Sequence, residues 1–303
     1  MMRLPVSLVT GFMRRVEKPH LRNARDPLAV RARFERQGKW LFQMPAFTTI
    51  LPDRLQVGDN AVDALWVNAR NARKDKLILY FHGGGYMMGS PRTHSAMLAR
   101  LSELSGMSCI LPDYRKAPEN LFPDGVKDAV TAYQALLDRG YAPENIALGG
   151  DSAGGGLCFG LLHYICTNGL PRPGAVFGFS PWTDLTLSGD SFTKNAVADP
   201  FLSAERAVEL VSMYLGSNDP RDPRASPLFG TFTGAPPVFL QVGETEILLD
   251  DSRRLAEALK DQGVMVTLDI WPDVPHVWQI LQTFLAQADT ALIQMARFLN
   301  KTV

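Results

Sequence analysis

Ile146-Ala147-Leu148-Gly149-Gly150-Asp151-Ser152-Ala153-Gly154 is the stretch whose reading decides the fold. Residues 146–149 read as a short β-strand, and residues 156–166 as a helix. Between them Gly150 to Gly154 spell G-x-S-x-G. A strand-to-helix turn this tight forces the serine into a strained backbone conformation, and flanking glycines remove the side chains that would clash. The Ser152 hydroxyl then stands clear of the sheet edge, above a helix N-terminus that favours developing negative charge. Ser152 is the candidate nucleophile. The similar Gly189-Asp190-Ser191-Phe192-Thr193 lacks the closing glycine, and no G-K-[ST] follows the turn, so it is not read as a phosphate loop.

The same rhythm extends outward. Residues 47–51, 62–67, 77–81, 108–111, 146–149, 175–179, 238–242 and 264–270 read as eight strands. From the third onward, most are separated by helix-like segments such as 125–139 and 252–262. That alternation predicts an α/β fold with a mostly parallel central sheet flanked by helices. Leu77-Ile78-Leu79-Tyr80-Phe81 has no polar alternation, as expected of a strand buried on both faces. Two segments break the rhythm. Residues 183–235 form an insertion that includes a helix-like run, 203–215, and residues 1–45 precede the first strand. Both are expected to form a helical cap over a catalytic domain of residues 46–182 and 236–303. Phe201 and Leu202, at the start of the insertion's helix, are candidate pocket residues.

His82-Gly83-Gly84-Gly85 directly follows the strand at 77–81. Three glycines after a strand leave backbone N–H groups unshielded, suited to hold an oxyanion. Gly84, Gly85 and the N–H of Ala153 are the candidate donors, with His82 holding the loop. A serine needs a base. Only His163 and His276 follow Ser152, and His163 lies within the helix after it, directed away. His276, in a loop after the last strand, is the candidate base. The acid belongs just beyond strand 238–242. Asp250 and Asp251 suit the start of the next helix, so position leaves Glu246 and Glu244 open.

Composition sets the limits. The chain has 303 residues, 46% apolar and 20% charged, with 31 basic and 31 acidic side chains. A neutral chain is poorly suited to a polyanion, which excludes nucleic acid as the expected partner. Residues 1–40 nonetheless carry ten Arg or Lys against three acids, a segment expected to dock on an acidic body. The three cysteines, Cys109, Cys158 and Cys166, have no metal-ligand spacing. They are expected to be buried thiols in a reducing, cytoplasmic compartment. No membrane span or signal peptide is read.

Taken together, His82-Gly83-Gly84-Gly85-Tyr86, Asp113-Tyr114-Arg115-Lys116-Ala117-Pro118-Glu119, Gly150-Asp151-Ser152-Ala153-Gly154-Gly155, Ser180-Pro181-Trp182-Thr183-Asp184-Leu185 and Pro275-His276-Val277 resemble the hormone-sensitive-lipase-like bacterial carboxylesterases. That resemblance implies the α/β-hydrolase fold, activity on short-acyl esters as small-molecule substrates, no cofactor, and a homodimer paired near 264–270. It also favours Glu246 as the acid, because Glu246-Ile247-Leu248-Leu249-Asp250 matches the family's D-x-L-x-D except for Glu in place of Asp. The same site suits an amidase or lactonase. A non-catalytic receptor on this fold is disfavoured by the presence of His276.

Overall fold

The computed structural model describes residues 3–303; residues 1 and 2, the start of the expected 1–45 segment, lie outside the described residues. Strands β1 (Thr49–Val57), β2 (Asn60–Asn68), β3 (Arg73–Phe81), β4 (Met107–Pro112), β5 (Ile146–Asp151), β6 (Ala175–Phe179), β7 (Val238–Gly243) and β8 (Val266–Trp271) form one sheet. Their spatial order is β1-β2-β4-β3-β5-β6-β7-β8. β1, β2 and β4 pair antiparallel, and every pairing from β4 through β8 is parallel.

The unbroken apolar run in β3 explains its central place. Leu77, Leu79 and Phe81 belong to one core and Ile78 and Tyr80 to the other, so successive residues bury into opposite faces. Helices α5 (Asp124–Asp138), α6 (Ser152–Thr167) and α9 (Leu249–Asp261) cover the first face; α4 (Pro91–Ser105) and α10 (Ala286–Thr302) cover the second.

Before the sheet run α1 (Val6–Phe12), a π-helical turn at Met13–Glu17, α2 (Lys18–Asn23) and α3 (Pro27–Leu41). Between β6 and β7 lie α7 (Asp190–Lys194) and α8 (Ala204–Leu215). Ser203 caps α8 rather than opening it, its hydroxyl accepting from the Arg206 N–H, a contact worth about 1 kcal/mol. The two segments meet through the basic side chains. Lys18 Nζ donates to the carbonyls of Ala196 (2.8 Å) and Asp199 (2.7 Å), and Arg14 to that of Ala198 (2.8 Å). Arg22 and Arg25 pair with Glu205 and Glu209 of α8. Arg31 clamps Glu119, and Arg3 pairs with Asp289 of α10.

Several boundaries differ from expectation. β1 continues to Val57 through Pro52, which an edge strand tolerates. β2 begins at Asn60 because Gly58, at positive φ, starts a two-residue hairpin turn that pairs Val57 with Asn60. β3 starts four residues early, at the polar Arg73, with a register shift before Leu77. β8 runs Val266–Trp271 rather than 264–270. Cys109 and Cys158 are buried as expected, but Cys166, on the last turns of α6, is only half-buried.

Candidate active site

Ser152 sits at the junction of β5 and α6 with φ of 51°, the left-handed region that L-residues rarely adopt. The glycines around it are obligatory because a side chain at either place would clash with backbone. A Cβ at Gly150 would lie 2.3 Å from the Gly154 carbonyl oxygen, and one at Gly154 would lie 2.1 Å from that of Phe81. The turn therefore closes only with glycine at both places, and α6 can begin at Ser152 itself rather than four residues later.

His276 lies in the loop between β8 and α10. Its Nδ1 is 2.5 Å from Glu246 Oε2. Glu246 is fully buried, and its other oxygen accepts from the Gly243 N–H (2.6 Å) and the Ser180 hydroxyl (2.7 Å). Both oxygens are thus engaged, which fixes the carboxylate against the imidazole. Burial works against a charged imidazole here, but the bonded Glu246 carboxylate outweighs it and holds His276 above the usual histidine range. Glu244 is exposed, and its side chain lies on the solvent side of the same turn. Asp250 and Asp251 fall in the first turn of α9, as expected. Asp250 accepts from the Ser191 N–H (2.8 Å), and Asp251 from the N–H groups of Thr183 (2.7 Å) and Asp184 (2.8 Å). His163 accepts from the Thr231 N–H on the far side of α6.

Ser152, His276, Gly84 and Gly85 all line one cavity of about 550 Å³ whose walls are mostly apolar. The serine hydroxyl and the imidazole face it without a direct hydrogen bond among the described residues, and such contacts commonly tighten on substrate binding. Gly84 and Gly85 have φ of 127° and 60°, which only glycine adopts without strain. Ala153 is buried in the first turn of α6, where its N–H has no intrahelical partner. Phe201 and Leu202 line the cavity, and the Phe201 ring lies nearly parallel to His276, 6.3 Å between centroids.

Sequence reasoning passed over Asp151. Buried beside the serine, it gathers three groups on one oxygen. The Tyr80 hydroxyl (2.8 Å) and the Gly83 N–H (3.0 Å) donate to Oδ1, and His94 Nε2 stands 3.3 Å away. It therefore ties the glycine loop after β3 to the turn bearing Ser152. The signal was available: a carboxylate at the inner end of an apolar strand must find donors. His82 supports the same loop as expected. It stacks on Tyr114 at 4.5 Å, and the Tyr114 hydroxyl donates to its carbonyl at 2.8 Å. Burial, then nearby Lys116, hold its ring well below the usual histidine range.

A parallel-sheet enzyme with a serine strained at a strand-to-helix turn and a cavity above the sheet's C-terminal edge defines the α/β-hydrolase class. The family model described as alpha/beta hydrolase fold matches residues 78–280, and the chain belongs to that family. Among solved structures, an esterase from the bacterial hormone-sensitive lipase family aligns with a TM-score of 0.91 and 39% identity, covering 100% of this chain and 99% of the other. EstE5, in a crystal soaked with p-nitrophenyl butyrate, aligns with a TM-score of 0.90 and 36% identity over 98% of each chain. An acetyl-hydrolase of Streptomyces hygroscopicus is 39% identical over 238 residues, 78% of this chain and 79% of its own length. An esterase of Acinetobacter venetianus is 35% identical over 228 residues, 75% of each. The chain is a carboxylic ester hydrolase of the hormone-sensitive-lipase-like branch.

Proposed function

We propose that the protein is a serine carboxylesterase for short-acyl esters, with Ser152 as nucleophile, His276 as base and Glu246 as acid. The observation that carries this reading is the shared cavity. A serine at φ 51° and an imidazole anchored 2.5 Å from a buried carboxylate open into the same apolar space.

In the first step His276 takes the Ser152 proton as the oxygen attacks the ester carbonyl. The N–H groups of Gly84, Gly85 and Ala153 hold the oxyanion, and Glu246 stabilises the imidazolium. The imidazolium gives its proton to the departing alcohol, leaving an acyl-enzyme. In the second step His276 deprotonates water, which attacks the acyl carbon; the proton returns to Ser152 and the carboxylic acid leaves. The acyl group lies against Phe201 and Leu202, beneath a cap made of residues 1–45 and 183–235. Short-acyl preference is supported by the acetyl-hydrolase relative and by the butyrate ester used with EstE5. The same reading carries a homodimer paired through β8, which stands at the sheet edge.

Ser152→Ala is expected to lower kcat for p-nitrophenyl butyrate about a million-fold. Near-native turnover by that variant would overturn the assignment. Across a chain-length series, acetate and butyrate esters are expected to turn over faster than octanoate and longer ones.

A further inference from the structure

We infer that Asp199 is a positioning and specificity residue, coupling the acyl-pocket wall at Phe201 and Leu202 to the turn that carries Glu246. The inference rests on the triad reading above.

Asp199 has no exposed surface and belongs to the insertion, not to the sheet. Its Oδ1 accepts from the N–H groups of both Phe201 and Leu202, each at 2.8 Å. Its Oδ2 accepts from the Ile247 N–H at 2.9 Å, one residue past Glu246. One rigid carboxylate thus joins the pocket wall to the acid's own turn, a span of 48 residues in sequence. Phe201 in turn lies flat beside the His276 ring. The wall that receives the acyl chain and the imidazole that moves the proton therefore share one support. A carboxylate is required here because three N–H donors converge on it, and an amide offers one acceptor oxygen where two are used. Asn195 makes a second link between the same segments, its amide donating to the carbonyls of Glu244 (3.1 Å) and Glu246 (2.9 Å). That link carries no charge and does not touch the pocket wall, so it separates general docking from the specific role.

Charge supplies a readout that packing alone would not move. Glu246, Asp199 and Asp151 are the carboxylates that favour a charged His276, and Lys18 stands at the Asp199 carbonyl. Burial, and then Glu246, push the Asp199 carboxyl above its ordinary value. Removing the Asp199 charge makes the imidazolium less stable, so the acid limb of kcat/KM moves to lower pH.

The experiment compares Asp199→Asn with Asn195→Ala, Ser152→Ala and the unmodified protein. Active sites are counted by stoichiometric labelling with an organophosphate, which excludes misfolded molecules from the rates. For Asp199→Asn, kcat/KM per labelled site on p-nitrophenyl butyrate is expected to fall about tenfold. The butyrate-to-octanoate preference narrows, and the acid limb shifts downward by about half a unit. Asn195→Ala leaves the acid limb in place. An Asp199→Asn protein with an unmoved acid limb and unchanged chain-length preference overturns the inference, as does an Asn195→Ala protein that reproduces both changes. Activity surviving in Ser152→Ala refutes the triad reading instead.

Discussion

At the residue scale, Glu244 and Glu246 carry the same chemistry two positions apart, yet they face opposite ways. The turn from Gly243, in which the Glu246 N–H returns to the Gly243 carbonyl at 3.2 Å, brings the Glu246 side chain inward to His276 and leaves Glu244 in solvent. Reading the residues leaves this pair open, because carboxylate identity does not report side-chain direction in a turn. The spacing to Asp250 in the family pattern is what favours Glu246. Asp250 meets Ser191 rather than the imidazole. Glu246→Gln is therefore expected to lower kcat about ten-thousand-fold, because the amide destabilises both the required tautomer and the imidazolium. Asp250→Asn is expected to cost less than about tenfold. Steady-state kinetics on p-nitrophenyl butyrate distinguish the two, and the opposite ranking would move the acid to Asp250.

At the scale of elements, the site depends on how β3 and β5 end side by side. Leu79 pairs with Leu148 and Phe81 with Gly150, so the glycine loop and the serine turn leave the same edge of the sheet together. Asp151 joins them at the Gly83 N–H. Asp151→Asn is expected to lower kcat about tenfold to a hundredfold through misaimed oxyanion donors. KM should change little, and an unchanged kcat would mean the loop holds its shape without this contact. The strands that flank the site are legible because buried parallel strands are apolar throughout. Strand ends and the outer hairpin turn are not. Arg73 to Lys76 carries no apolar pattern, and its pairing comes from the neighbouring β4 backbone. The β1–β2 hairpin rests on Gly58-Asp59, a turn signal that hydrophobic periodicity does not register.

At the scale of the molecule, charge is distributed so that folding depends on pH from both sides. The Arg139 guanidinium holds Asp53 below the usual carboxylate range, and Arg224 does the same for Asp222. Their contribution is present above the unfolded carboxylate value and is lost as pH falls through the folded values. Asp251 behaves oppositely. Burial pushes it up from 3.8 to about 8, so the folded state holds the proton more tightly and that stability is lost as pH rises towards about 8. The melting temperature is expected to fall below about pH 4 as Asp53 and Asp222 are protonated, while the Asp251 contribution declines progressively from about pH 4 to about pH 8. Asp251→Asn should flatten the upper decline in calorimetry; a decline of unchanged slope would assign it to other groups. The +7 excess of residues 1–40, legible from the sequence, is largely met by acids and carbonyls of the molecule itself, including Glu119, Glu205, Glu209 and Asp289. Which residues receive them depends on tertiary contact, which no local pattern encodes.

The proposed mechanism requires Ser152 to become acylated. Reaction with diethyl p-nitrophenyl phosphate followed by peptide mapping in a mass spectrometer tests this most directly. One diethylphosphoryl group per chain is predicted on the peptide containing Ser152, appearing in step with loss of esterase activity and absent after Ser152→Ala. A modified peptide that maps elsewhere, or inactivation that proceeds equally in the Ser152→Ala protein, would contradict it.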